Sequence, residues 1–204
     1  LVFGNTLENH PVLVHLVVFW REPATRTSRG VVPARCMGCA RMLAHRRMRK
    51  LPSTLVEALS ALPRGEARGF RFIGSDGLER YFPYQALEAE AQRRAALLAG
   101  AGIKKGDRVS LVIAEGHEFV LTFLGTVVAG AVPVPIFPRA TFKASSDYTE
   151  TVGHIALASE SRLLIAMQAN LSLVEPVLTS VTTLERIETV EALFAPSAQA
   201  PVFV

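Results

Sequence analysis

Glu118 to Arg139 reads EFVLTFLGTVVAGAVPVPIFPR, and this stretch decides the fold. Its first half is an amphipathic run that breaks at Gly130. An apolar segment follows, punctuated by Pro133, Pro135 and Pro138. A run with helical spacing, a glycine stop, a branched-residue segment and a proline-stiffened exit predict a helix feeding a buried strand. The uncharged part, Phe119 to Pro138, is long enough to raise the question of a membrane span. Its two glycines and three prolines argue for the helix and strand instead.

Working outward, the pattern alternates. Val109 to Ile113 reads as a buried strand, His117 to Ala129 as a helix and Val132 to Phe137 as a second strand. Tyr148 to Ser159 reads as a helix, Arg162 to Met167 as a third strand, Leu171 to Ser180 as a helix whose boundary Pro176 disturbs, and Thr183 to Ile187 as a fourth strand. Strand, helix, strand at this spacing calls for right-handed crossovers, so the expected class is α/β: a mainly parallel sheet with helices on both faces. Toward the N-terminus, Ser53 or Thr54 can cap a short helix over Leu55 to Leu62, with Glu57 in its first turn. Phe70 to Ile73 and Leu78 to Phe82 flank Gly74-Ser75-Asp76-Gly77, a hairpin signal. Pro83 opens a helix whose stripe is Leu87, Ala91, Ala95 and Leu98, and Gly100 and Gly102 end it.

Composition divides the chain. Half of its 204 residues are hydrophobic and 20% are charged, as a globular core requires. Residues 1–50 hold nine Lys/Arg against two Glu, a net +7. With +4 for the whole chain, residues 51–204 sum to −3. No periodic pattern in residues 1–47 lasts beyond ten residues. The expectation is a non-domain segment over 1–47, disordered or translated from upstream DNA, with Met48 as the true start and a folded unit over 48–204. Pro11 to Trp20 is apolar but lacks the flanks of a secretory signal. The only cysteines, Cys36 and Cys39, exclude a disulfide framework elsewhere, which makes a reducing, cytoplasmic setting the default.

Several constellations invite a chemical role. Gly100-Ala101-Gly102 with Gly106 has glycine spacing like a dinucleotide loop, but it follows a helix and precedes a strand. It reads as a helix stop and turn. Cys36-Met37-Gly38-Cys39 with His45 offers three of the four ligands a structural zinc needs, and reads as a chance pairing. The arginines from Arg35 to Arg49 are a basic arm without interleaved aromatics to stack bases, so nucleic-acid binding is the weaker reading. His117 begins a helix after a strand, with Glu115 and Glu118 as its expected partners. No Ser or Cys nucleophile accompanies it, and it reads as a solvated helix start. His154 reads as a surface or core-edge residue, and Asp147 and Glu150 as carboxylates offsetting a helix dipole. No catalytic, cofactor-binding or metal-binding residue is assigned.

Two motifs carry a resemblance. Phe82-Pro83-Tyr84-Gln85-Ala86-Leu87 resembles the first core motif of the adenylate-forming enzymes, L-[TS]-Y-x-E-L. Tyr84 and Leu87 match, while Phe82, Pro83 and Ala86 depart. Ala129-Gly130-Ala131-Val132-Pro133-Val134-Pro135 resembles the second, A-G-x-x-x-x-P. Between them Gly106-Asp107-Arg108-Val109 is similar to the family's G-D-R-V turn, and Phe119-Val120 with Phe123-Leu124-Gly125 follows its helix. Thr54-Leu55-Val56-Glu57, the Asp-Gly hairpin and the Val-Pro-Ile-Phe-Pro exit resemble the fatty-acyl-AMP ligases in particular. The likeness covers residues 53–204 and implies the incomplete N-terminal domain of an AMP-dependent synthetase/ligase. The implied reaction joins a fatty acid to the α-phosphate of ATP, with Mg, giving acyl-adenylate and pyrophosphate. CoA or an acyl carrier protein would be the final acceptor. The family's Gly/Ser/Thr-rich phosphate loop and C-terminal lysine are not found among these 204 residues. The chain is therefore expected to be inactive alone and to contain no cofactor site of its own. The alternatives are a stand-alone interaction or split-enzyme module, and the basic-arm nucleic-acid binder.

Overall fold

The computed structural model describes residues 51–138 and 145–195. The cysteine pair, the basic arm, His45 and Met48 lie outside the described residues, as does the tail from residue 196 onward.

The described residues open with helix α1 (Leu55–Ser60), capped by Thr54, whose hydroxyl accepts from the Glu57 N–H at 3.1 Å. The Glu57 carboxylate in turn accepts from the Ser53 N–H at 2.8 Å, a reciprocal cap that satisfies donors at both ends of the turn. Strands β1 (Gly69–Ile73) and β2 (Glu79–Pro83) form the antiparallel hairpin, with Phe72 opposite Arg80. Asp76 Oδ1 accepts from the Leu78 N–H at 2.9 Å, and Gly77 takes φ +75, the left-handed geometry that an Asp-Gly turn supplies. Helix α2 (Tyr84–Gly100) follows directly from Pro83.

Strand β3 (Arg108–Val112), helix α3 (Gly116–Val128) and strand β4 (Val132–Pro135) make the first parallel crossover. Helix α4 (Ser145–Ala158) returns the chain past β3 to β5 (Ser161–Ala166), and β6 (Arg186–Thr189) lies beyond it. The four-stranded sheet has the order β4-β3-β5-β6 and is parallel throughout. Alternation along each strand divides the core. Val109, Leu111, Leu163 and Ile165 face α2, α3 and the last described helix, whereas Val112, Leu164 and Ala166 face the α4 side. A third cluster, with Leu59, Leu87, Ala91, Leu121 and Leu124, packs α1 and the hairpin against the outer side of α2 and α3.

The membrane question is answered by this arrangement: the uncharged stretch is divided between α3 and β4. No described helix is long and apolar enough to cross a bilayer. Other expectations shift. Leu171 to Ser180 is two short helices, α5 (Leu171–Val174) and α6 (Val177–Ser180), preceded by a 3₁₀ turn at Gln168–Asn170. Pro176 is the reason, since it cannot donate to a continuous helix and instead precedes the first residue of α6. The fourth strand starts at Arg186, three residues later than Thr183, because Leu184 closes a turn onto Val181 and buries its side chain. A final turn of helix, α7 (Val190–Leu193), is capped by Thr189, whose hydroxyl accepts from the Ala192 N–H at 3.1 Å.

Candidate functional site

The chain leaves β3 toward β4 on one side, whereas it leaves β5 toward β6 on the other. This reversal creates a switch point at the carboxyl ends of β3 and β5, where open α/β sheets place ligands. The segments that meet there are Ala114 to His117 after β3, Met167 and Gln168 after β5, and Ile136 to Pro138 after β4.

His117 sits beside this edge, and the structure corrects the expectation of a solvated helix start. Its side chain is only 14% exposed because the hairpin folds over it. The Phe82 ring lies nearly parallel to the imidazole at 6.3 Å, and Phe72 closes a second side at 6.4 Å. The expected partners are present: Glu118 Oε1 is 3.4 Å from Nε2, and Glu115 Oε2 is 4.0 Å from Nδ1. Nδ1 itself is buried without a hydrogen-bond partner among the described residues. Glu115 also accepts from the Ser75 hydroxyl, which ties the hairpin turn to the start of α3.

Sequence reading missed Arg94. It lies on α2 and is 3% exposed. Its guanidinium donates to Glu118 Oε2 at 2.6 Å, Thr122 Oγ1 at 2.7 Å and Glu90 Oε1 at 2.8 Å, and lies 4.7 Å from the centre of the Phe194 ring. A signal was available. Position 94 falls three residues after Ala91 and four before Leu98, on the apolar stripe itself. Burial pushes the Glu118 carboxyl up, but the His117 hydrogen bond and the Arg94 charge outweigh it and hold it at about 2.

Among the described residues, the carboxylates of this edge are already engaged. Glu115 and Glu118 are engaged as described, and Glu191 accepts from the Gln168 N–H at 3.0 Å. Arg94 is committed to carboxylates, so these residues provide no free cation for a phosphate. No grouping of three or more His, Cys, Asp or Glu suited to a metal occurs among the described residues. His154 is exposed on α4, as expected, and Asp147 lies in that helix's first turn. Gly102 and Gly106 take φ +86 and +88 between α2 and β3, the helix stop and turn that the sequence suggests. Tyr84 and Leu87 of the first motif begin α2, where Tyr84 meets Phe70 edge-on at 5.9 Å and Leu87 is fully buried.

With this architecture in hand, comparison with known proteins is informative. The family model described as AMP-binding enzyme matches residues 66–201. The chain belongs to this adenylate-forming family. The crotonobetaine/carnitine–CoA ligase of Salmonella paratyphi B is 37% identical over 75 residues, which covers 37% of this chain and 14% of that enzyme. A fatty acyl-adenylate ligase structure, from work on the E. coli and L. pneumophila enzymes, is 26% identical at a TM-score of 0.54. The match covers 61% of this chain and 22% of that one. The McyG A-PCP structure with phenylalanyl-adenylate shares the fold at a TM-score of 0.58 and 20% identity, covering 73% and 23%. The chain thus spans a small part of the length of the relatives it matches.

Proposed function

We propose that this chain forms the opening portion of an acid-activating ligase and acts there as scaffold. The complete enzyme would join a fatty acid to ATP, with Mg, to give acyl-adenylate and pyrophosphate, and would pass the acyl group to CoA or an acyl carrier protein. A reducing cytosol suits two cysteines confined to the first 50 residues. The observation that carries the reading is the family match across both core motifs and all four parallel strands. The likeness to a fatty acyl-adenylate ligase supports the substrate class.

The chemistry of adenylation needs donors and cations aimed at the charge that develops on the α-phosphate. The described switch-point edge offers carboxylates already engaged. The 204 residues contain no Gly/Ser/Thr-rich phosphate loop. The polypeptide by itself is therefore expected to support no adenylation. ATP–pyrophosphate exchange tests both parts of the reading. Purified residues 1–204 should give background exchange with any acid, and exchange above background would overturn the scaffold role. Residues 53–195 grafted in place of the matching region of a fatty acyl-adenylate ligase should restore fatty-acid-dependent exchange. A folded graft that responds to carnitine and not to fatty acids would overturn the substrate class.

A further inference from the structure

The two ring nitrogens of His117 are placed differently. Nε2 lies 3.4 Å from Glu118 Oε1 and can donate to it. Nδ1 lies 4.0 Å from Glu115 Oε2 and is buried, with no hydrogen-bond partner among the described residues. A neutral imidazole carries one N–H. With that proton on Nε2, the Nδ1 lone pair is shut away from water beside a carboxylate, which has no proton to donate. An imidazolium carries an N–H on both nitrogens, and each then meets an anion.

The hairpin makes this enclosure. Phe72 of β1 and Phe82 of β2 stand against two sides of the ring, and the Ser75 hydroxyl in the turn donates to Glu115 Oε1. Undocking the hairpin would return Nδ1 to water, so the neutral ring is penalised while the hairpin is docked. The charges around the ring favour the protonated form. From α2, Arg94 takes Glu118 through its other oxygen, Oε2, and shares Glu90 with Arg93. From the hairpin, Arg80 closes on Asp76 and feels Glu115 and Glu118 at longer range, while Arg71 and Glu79 pair with each other. Around the ring, the four carboxylates of Asp76, Glu90, Glu115 and Glu118 thus meet the three guanidiniums of Arg80, Arg93 and Arg94. One negative charge is left over, and a proton on His117 neutralises it.

We propose that His117 is a proton-operated latch on the β1–β2 hairpin. Uptake of a proton by the imidazole fastens the hairpin onto the start of α3, and loss of that proton as the pH rises toward about 8 loosens it. The coupling is reciprocal, since whatever holds the hairpin down also holds the proton. The latch lies beside the switch-point edge, so the packing of Ala114 to His117 follows the same proton. This inference does not rest on the acid-activating reading, and failure of either leaves the other standing.

Hydrogen–deuterium exchange of the 204-residue chain, from about pH 5 to about pH 8, tests it. A two-stranded hairpin is marginal without its packing. Protection of the Gly74 N–H, which donates to Leu78 O at 2.9 Å, therefore follows docking. Corrected for the exchange rate of unstructured peptide at each pH, that protection should fall about fivefold across the range. His117→Phe keeps a ring between Phe72 and Phe82 but has no nitrogen, and it should abolish the fall. Glu115→Gln keeps an acceptor for Ser75 but removes the charge beside Nδ1, and it should shrink the fall to about twofold. His154, the other described histidine, is on α4, which covers the opposite face of the sheet. If His117→Phe does not fold, the proton resonances of the His117 ring in the unaltered chain decide the matter, because its titration and the loss of Gly74 protection should share one midpoint. Protection that does not vary with pH, a fall unchanged in either variant, or a midpoint apart from that of the His117 ring would overturn the proposal.

Discussion

On one face of the sheet, α4, α5 and α6 cover Val112, Leu164 and Ala166 with Val152, Ala156, Val174 and Val177, and the cluster is apolar throughout. On the other face Leu111 and Ile165 are covered in the same way by α3, but the next interface outward, between α3 and α2, is organised around Arg94. The first kind of contact is indifferent to direction and to pH, because apolar burial depends on area and fit. The second fixes orientation, since the guanidinium must reach Glu90, Glu118 and Thr122 together. It also ties stability to the charge on Glu118. The layer that holds the hairpin and the first core motif is thus the one with a polar lock.

Removing the lock should produce the largest effect. Arg94→Ala leaves Glu118 largely buried, with His117 as its remaining side-chain partner, and leaves the Thr122 hydroxyl without its donor. A loss of about 3–5 kcal/mol is expected in urea unfolding. Glu90 retains Arg93, which donates to it at 2.7 Å. If the contrast is correct, Arg94→Leu combined with Glu118→Leu recovers most of that loss, because an apolar contact can replace a buried pair. A double variant as weak as Arg94→Ala would show that the network does more than hold two helices together.

Leu164→Ala is the matching cut on the apolar face. Leu164 is fully buried, so a loss of about 3 kcal/mol is expected, with no dependence on pH. Thermal melts of this variant and the wild type should stay separated by the same interval from neutral to acid pH. A gap that closes on acidification would mean that the two faces are not independent.

Acid itself should distinguish the layers by about 1–3 kcal/mol. Glu118 is held at about 2, below its ordinary 4.5, so its contribution is present above 4.5 and is lost as pH falls from there toward 2. Asp76, on the exposed hairpin turn, is also lowered to about 2, chiefly by its hydrogen bond from Arg80, and titrates in the same window. The comparison that isolates the lock is therefore wild type against Glu118→Gln. The variant should be less stable at neutral pH and flatter in that window. Equal slopes would assign the acid sensitivity away from Glu118, to the other lowered carboxylates: Glu57, Asp76, Glu90, Asp107 and Glu185.

The sequence made one face more readable than the other. β3, β5 and α4 carry runs of branched or apolar residues, and their positions and class follow from periodicity. The hairpin follows from Asp76-Gly77 because turn chemistry is local. What escaped reading depended on contacts distant in sequence. Arg94 was passed over although it lies on the stripe, because its partners Glu118 and Thr122 are 24 and 28 residues away. The burial of His117 depends on Phe72 and Phe82 arriving from the hairpin. The start of β6 moved because the Thr-Thr pair at 182–183 has strand propensity, whereas the ladder with β5 begins at Arg186.

A substitution that belongs to neither face calibrates both. Gly125 and Gly130 lie in the stretch that decides the fold, for different reasons. A Cβ on Gly125 would come within 2.6 Å of Arg94 Cβ, so that glycine exists for the α2–α3 approach and its replacement would confound the test of the lock. Gly130 has φ +75 just after α3, and its carbonyl accepts from the Gly106 N–H at 2.9 Å. A Cβ there meets Lys105, with Cγ at 3.2 Å, Cβ at 3.5 Å and Cα at 3.7 Å, and only the Cγ, on a flexible side chain, is tighter than ordinary contact. Gly130→Ala should therefore cost about 1–2 kcal/mol, almost all of it backbone strain. It should add to Leu164→Ala and to Arg94→Ala alike, because it shares no partner with either. Departure from additivity with Arg94→Ala alone would mean that the helix stop and the polar lock are one cooperative unit. The second core motif would then act on the position of α2 as well as on the entry to β4.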